Sequence, residues 1–261
     1  MEEDKDWNYE NRFAAAKVGN DNAAYMAKDQ WTANFNLNRE PRYYASLGFD
    51  RGIWMGQGTK DVSKSNYLKA RAGEPAANAF ETSWCMSGIW PKKLVHDETV
   101  LTKTNITYQK YPFPIMRMAN LYLLYAEALN EIKAPYTEVL PWIDKVRERA
   151  GLEGVETAWT SHSTDPEKFK DQTGLREIIH QERLIELALE GQRYWDIRRW
   201  KKALTEFNKP VTGWNLLYNS ADDYYKETLI YNQTFTVRDY FWPIVDAETW
   251  RNKNLKQNYG W

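Results

Sequence analysis

A single cysteine in 261 residues, Cys85, excludes an internal disulfide framework and a cysteine-rich metal site. Its mid-chain position also excludes it as an N-terminal lipid attachment point. Histidine is scarce too: His96, His162 and His180 stand far apart with no ligand spacing, so neither a His-based metal site nor a cofactor is implied. No charge of one sign dominates. Lys plus Arg number 35 against 36 Asp plus Glu, a net charge of −1, which lacks the electrostatic footprint of a nucleic-acid binder. No apolar run of about 18 residues occurs, so no membrane-spanning helix is expected. The opening MEEDKDWNYENRF is acidic, with no hydrophobic segment, and reads as lacking a signal peptide. That leaves a cytoplasmic protein or one whose N-terminal portion has been removed. Catalytic motifs are missing as well. Ser83-Trp84-Cys85 has no nucleophile signature, and Gly56-Gln57-Gly58 lacks the strand and helix context of a phosphate loop.

Aromatic residues are what the chain has in excess: 13 Trp, 17 Tyr and 9 Phe, 15% of the total. Most rings are expected in the core, where large side chains bury most area. A few exposed rings would serve as stacking platforms for sugars.

Order varies along the chain. Ala14 to Ala16 and Ala23 to Ala27 read as short helical pieces around a Gly19-Asn20-Asp21-Asn22 turn. Residues 40–54, EPRYYASLGFDRGIW, read as a strand or extended segment with a turn at Asp50-Arg51-Gly52. The next sixty residues, rich in Gly and Pro, read as loops. From Met116 to Ile132 a 3.6-residue stripe (Leu121, Leu124, Tyr125, Ala128, Leu129, Ile132) predicts a helix with that face buried. A second helix is expected over Thr137 to Ala150, with Leu140, Ile143 and Val146 inward, Pro141 in or near its first turn, and Gly151 closing it in a left-handed conformation. Two such helices joined by a short Pro-containing turn predict one tetratricopeptide-like hairpin. One hairpin cannot bury its own apolar face, so an exposed apolar face is expected where further helices would stack, and independent folding of the chain is doubtful. Residues 152–174 read as a polar connector. The fold class that follows is mainly α: tetratricopeptide-like hairpins with loop-rich insertions and a few short strands.

Leu175 to Trp200, LREIIHQERLIELALEGQRYWDIRRW, reads as one long amphipathic helix with Leu175, Ile178, Ile179, Ile185, Ala188 and Leu189 on its buried stripe. Trp195 and Trp200 read as packing residues. Glu182, Glu186 and Glu190 fall at i, i+4 spacing and would repel unless cations sit beside them. Arg183 and Arg193 are near in sequence, and Lys145, Arg147 and Arg149 could approach from the hairpin. Two of these carboxylates could serve as a glycosidase acid and base. Such a pair must flank a sugar in a cleft, which three flexible glutamates on one helix row rarely do. The favoured reading is a structural ion-pair network of Glu182, Glu186, Glu190 and Arg193, with no catalytic residue.

Five segments, in order, resemble hallmarks of the SusD/RagB family: EPRYYASLGFDRGIW (40–54), PIMRMANLYLLYAEALNEI (114–132), IDKVRERAGL (143–152), the charged helix, and FWPIVDAETWRNKNLKQNYGW (241–261). Leu189 stands where the family usually has an aromatic, Val245 replaces a proline, and Lys253 and Tyr259 replace tail prolines. The resemblance covers 40–261, with 1–39 poorly assigned, and the whole chain reads as a single C-terminal region, 1–261. The family implies a non-catalytic glycan-binding lipoprotein of the Bacteroidetes outer membrane, facing the cell surface. Its expected partners are an oligosaccharide or polysaccharide and a SusC-like TonB-dependent transporter. The lipid anchor would lie in an N-terminal segment that this chain does not contain.

Sugar-contacting residues do not transfer as a motif. On loop position and chemistry, the candidate glycan-binding rings are Trp54, Trp84, Trp90 and Trp214, which lie among Gly, Pro and turn residues. The alternatives are a helical-repeat scaffold for a protein partner and an α-helical glycoside hydrolase. The terminal NYGW is expected to fold back onto the body.

Overall fold

The computed structural model describes residues 4–54, 66–77, 85–101 and 105–261. Trp84 and Gly56-Gln57-Gly58 lie outside the described residues. The N-terminal part is irregular and pinned by short ladders. Ala14 to Ala16, expected to be helical, contributes instead to a strand, Ala15–Lys17, antiparallel to Trp31–Ala33. Alanine's helix preference amounts to tenths of a kcal/mol per residue, and a ladder partner overrides it. Ala23 to Tyr25 form a turn after a short 3-10 helix, Asn20–Asn22.

The 40–54 segment is not extended throughout. It begins with helix α1 (Pro41–Ser46), started by Pro41 at the first helical position, where its fixed φ suits the turn and its missing N–H leaves no gap. The extended part follows as Leu47–Phe49, paired with Ile89–Pro91, and Ile53–Trp54, paired with Asn66–Tyr67. Each strand found among the described residues belongs to a two-stranded antiparallel ladder.

The helical part holds the main core. Helices α2 (Met118–Glu131) and α3 (Tyr136–Arg149) form the hairpin, and α4 (Val155–His162), α5 (Gln172–Glu186) and α6 (Gln192–Arg199) follow. Leu123 and Ala126 of α2, Val139, Ile143 and Val146 of α3, and Leu175, Ile178 and Ile179 of α5 pack into one apolar cluster closed by Phe169. The fold is mainly helical with a tetratricopeptide-like hairpin, as expected.

Several details differ from the expectation. The α2 stripe read as buried faces outward: Leu121, Leu124, Tyr125, Ala128 and Ile132 are exposed, Ile132 at 75%. The inner face carries Ala119, Leu123, Ala126, Glu127 and Asn130. Two polar residues on the buried side turned the hydrophobic pattern away from the core. Asn130 donates to the Gln172 carbonyl at 3.0 Å, and Glu127 binds Arg199 and Trp200. An exposed apolar face is therefore present, and it is α2's own stripe. Pro141 is the sixth residue of α3, beyond the first turn. The carbonyl it leaves without an intrahelical donor is that of Thr137, and both residues are exposed, so water replaces the bond. Gly151 closes α3 at φ 74°, as expected. The supposed connector 152–174 contains α4.

The charged segment is two helices, not one. Leu187 ends α5, Leu189 takes φ 65° and Gly191 φ 77°, and the chain turns before α6. Leu189, assigned to the buried stripe, is 46% exposed in that turn, and Ile185 and Ala188 are only partly buried, while Leu187 fills the core. Trp195, expected to be packed, is 57% exposed, because α6 after the turn presents Asp196, Ile197 and Arg198 inward instead. The C-terminal tail folds back as expected, but through polar groups. Gln257 exchanges hydrogen bonds with the Ile244 backbone, Asn258 donates to the Trp242 carbonyl at 2.6 Å, and the Trp261 indole donates to the Phe241 carbonyl at 3.0 Å.

Helix α5 is started by Asp171, whose carboxylate accepts the N–H groups of Thr173 and Gly174 at 2.9 and 3.0 Å. Gly174 is the close approach that lets this first turn sit on Lys168–Lys170, since a Cβ there would enter the Lys168 carbonyl oxygen. Gly174→Ala is expected to lower stability by about 1–3 kcal/mol, because backbone and not a flexible side chain must move. Urea unfolding checks it, and an unchanged midpoint would contradict this account.

Candidate functional site

The candidate ligand face lies in the irregular part, where two of the four proposed tryptophans meet at one glycine. Gly48 pairs in register with Trp90, and the direction in which a Gly48 side chain would point is filled by the Trp54 ring, 2.5 Å from an ideal Cβ. Cross-strand partners share a face, so both indoles occupy the side of the ladder that Gly48 leaves open. Both are half-buried, Trp54 against Gly48 and Trp90 against the cluster that holds Trp214 and Tyr224. Tyr67 pairs with Ile53 and so lies on the opposite face of the adjacent ladder from Trp54, with Lys69 Nζ 5.3 Å from its centroid. Lys92 anchors the floor, donating to the Tyr44 and Ile53 carbonyls at 3.0 and 2.8 Å, and burial holds its ammonium below the usual lysine range.

Trp214 belongs to the buried cluster against which Trp90 packs and presents no platform of its own. It is 6% exposed, edge-on to Phe13 at 5.1 Å and to Tyr225 at 5.3 Å. Its ring is a core residue, because the strand Val211–Trp214 turns its last side chain inward against Ala33 and Tyr224. The loop-like neighbours in the sequence were no guide here, since they lie on a ladder with Glu227–Tyr231. Trp84 lies outside the described residues.

The charged residues sort into two clusters. In the first, Glu182 and Glu186, each 3% exposed, sit between four arginines. Arg42 reaches Glu182 at 2.5 Å and Glu186 at 3.2 Å, and Arg147 takes the other Glu182 oxygen at 3.2 Å. Arg117 and Arg149 bind Glu186 at 2.9 and 2.8 Å. Glu190 completes the row with Arg117 at 2.7 Å and with Lys93. Burial works against the Glu190 carboxylate, yet Arg117 and Lys93 outweigh it and hold its pKa below the usual range. For Arg42, burial likewise opposes the charge, and the hydrogen bonds it donates to Glu40 and the field of Glu182 raise its pKa regardless. The expected network of three glutamates is therefore present. Arg193 is not part of it. The turn before α6 carries it away, and it binds Glu206 at 3.0 Å. Lys145, another candidate cation, lies over the Trp142 ring at 3.9 Å instead. Sequence reasoning missed Arg42, Arg117 and Lys93, whose only signal was an arginine inside each of two family-like segments.

The second cluster lies on the far side of α5. Arg183 forms a two-pronged contact with Asp196 at 2.9 and 3.0 Å. Arg199 and the Trp200 indole both donate to Glu127. His180 stacks on Trp200 with centroids 3.5 Å apart, its Nδ1 3.1 Å from Lys202 Nζ and its Nε2 3.9 Å from Glu127. Burial, followed by the Lys202 charge, lowers the His180 pKa to about 4.

A glycosidase needs a carboxyl acid and a carboxylate facing a sugar. Glu182 and Glu186 are instead enclosed and committed to guanidinium groups, which suits a structural joint. Among the described residues no group of three His, Cys, Asp or Glu side chains is arranged to hold a metal ion, and no helix is long and apolar enough to cross a membrane.

The sequence matches the SusD family over residues 3–261. SusD-like protein P2 of Formosa agariphila is 35% identical over 144 residues, 55% of this chain and 24% of that protein. Among solved structures, BT4246 superposes with a TM-score of 0.80 at 24% identity, over 100% of this chain and 43% of that one. A SusD-like carbohydrate binding protein of Bacteroides fragilis, BF0978, gives a TM-score of 0.59 at 23% identity, over 85% of this chain and 42% of that one. The likeness to these two structures concerns the fold. The chain spans less than half the length of either.

Proposed function

The chain belongs to the SusD/RagB family, and from that premise we propose that it is a non-catalytic glycan-binding component of a nutrient uptake system at the bacterial cell surface. The observation that carries this reading is the pair of half-buried indoles, Trp54 and Trp90, gathered at Gly48 on the irregular side of a SusD-family chain. A half-buried indole loses little side-chain freedom when the C–H face of a sugar ring settles on it, and tryptophan is enriched among the residues that dominate binding energies. In this reading the protein acts as one region, 1–261, of a lipid-anchored outer-membrane protein. It delivers an oligosaccharide to a SusC-like TonB-dependent transporter without cleaving it. Trp84 stays a candidate contact by its sequence neighbourhood alone.

The test is affinity electrophoresis against a polysaccharide panel. One glycan class is expected to retard the protein, with Trp54→Ala and Trp90→Ala each weakening binding by about tenfold, or ~1.4 kcal/mol. Reducing ends appearing during incubation would overturn the non-catalytic assignment. Retardation by no polysaccharide would move the weight to the second reading, a scaffold for a protein partner, which the exposed α2 stripe favours.

A further inference from the structure

A cleft of about 700 Å³ opens between the N-terminal segment, α4 and the first half of α5, within the range of small-molecule sites. None of Trp54, Trp90 and Trp214 lines it. One edge is fixed in place, because Asp4 bridges to Ser163 and the Lys5 N–H donates to the His162 carbonyl at 3.0 Å. Two rings face the space. Tyr9 is 45% exposed, with the Arg12 guanidinium 3.9 Å from its centroid, and Trp159 is half-buried with its inner edge against the helical core.

Of the charges that line the cleft, all but Asp4, whose carboxylate accepts only the Asp6 N–H at 2.9 Å, are already matched in ion pairs. Lys168 binds Glu177 at 2.8 Å, Arg147 binds Glu182 at 3.2 Å and the Glu153 carbonyl at 2.8 Å, and Glu40 binds Arg42 at 2.8 Å. An anionic ligand would have to displace one of these partners. Three further side chains offer uncommitted hydrogen-bonding groups. Among the described residues, the Tyr9 hydroxyl, the His162 ring and the Gln181 amide make no hydrogen bond. Two aromatic faces beside free donors and acceptors, with a carboxylate (Asp4) as the one lining charge outside an ion pair, match a polyhydroxylated ring and not a phosphate or a carboxylate.

We propose that this cleft is a second saccharide site, selective for uncharged sugars, with Trp159 and Tyr9 as the stacking faces and Gln181 and His162 as hydroxyl partners. It rests on the glycan-binding reading and adds a site to it. The test titrates malto-, manno-, xylo- and galacto-tetraose, with tetragalacturonate as the charged probe, into the wild type and into a Trp54→Ala/Trp90→Ala double variant, followed by saturation-transfer NMR. The double variant is expected to keep one site per chain for a neutral tetrasaccharide. Adding Gln181→Ala or Trp159→Ala is expected to weaken that remaining site at least tenfold. Gln181 is exposed, so its loss leaves the fold in place. The cleft is ruled out if the double variant loses all binding, if the remaining site ignores both added substitutions, or if it prefers tetragalacturonate. Failure of the wild type to bind any of the five probes would remove the glycan-binding reading itself, and the cleft with it.

Discussion

Glu186→Gln is expected to destabilise the protein by about 3–5 kcal/mol, the largest effect foreseen for any single substitution. The Glu186 carboxylate is almost fully enclosed and serves Arg42, Arg117 and Arg149 together. A neutral amide of the same shape keeps the packing but leaves the guanidinium groups with too little negative charge in a poorly solvated space. It also turns one acceptor into a donor facing donors. For a chain of this length the loss corresponds to a fall in melting temperature on the order of 10 °C. Arg149→Ala is the informative control. Arg149 binds the same carboxylate, but its side chain is 59% exposed, and its removal is expected to cost under ~1 kcal/mol. Equal losses for the two variants in thermal unfolding would mean that enclosure is not what gives the cluster its strength.

Stability is expected to fall by about 2–3 kcal/mol as pH drops from 6.5 to 4, on account of His180. The enclosed ring is kept neutral in the native state, with its pKa at about 4, while the unfolded chain protonates near 6.5. Between those values the unfolded state holds a proton that the native state does not. The contribution is therefore complete above pH 6.5 and disappears as pH falls toward 4. Lys202 donating to Nδ1 leaves the ring proton on Nε2, pointing toward Glu127, so a second proton would have to sit beside the Lys202 ammonium. His180→Gln cannot titrate and is expected to flatten urea midpoints across this window. An undiminished slope in that variant would assign the acid sensitivity to other groups.

The legible parts of the sequence were those where one local signal decides the outcome. The α2–α3 hairpin followed from a 3.6-residue period and a short proline-containing connection, and the Gly151 cap from its place after the last helical turn. The illegible parts were those where distant partners decide. Glu127 and Asn130 could not be known to face inward without Arg199, Trp200 and Gln172, so the α2 stripe was assigned to the wrong side. The break before α6 did have a signal, Gly191 directly after LALE, but continuous charge patterning on both sides hid it. Trp214 and Trp90 occupy similar neighbourhoods in the sequence and each lies on a ladder, and it is the distant rings of Phe13 and Tyr225 that enclose the first. The three glutamates were recognisable as a network from their spacing, whereas Arg42, 140 residues from Glu182, was not.

Arg42 and Lys93 come from the irregular part of the molecule, and the glutamates they hold come from the end of the helical part. An apolar seam between two such parts tolerates sliding, because grease has no preferred angle. A guanidinium fork across two carboxylates accepts one orientation. The seam thus works as an alignment key, setting the heading of the ladder that begins at Leu47, directly after α1. Trp90 on that ladder, and Trp54 packed on its Gly48, are held in place by the fold itself. Under the proposed glycan-binding reading, little ordering remains to be done on contact, and shallow stacking on Trp54 and Trp90 would translate into measurable affinity.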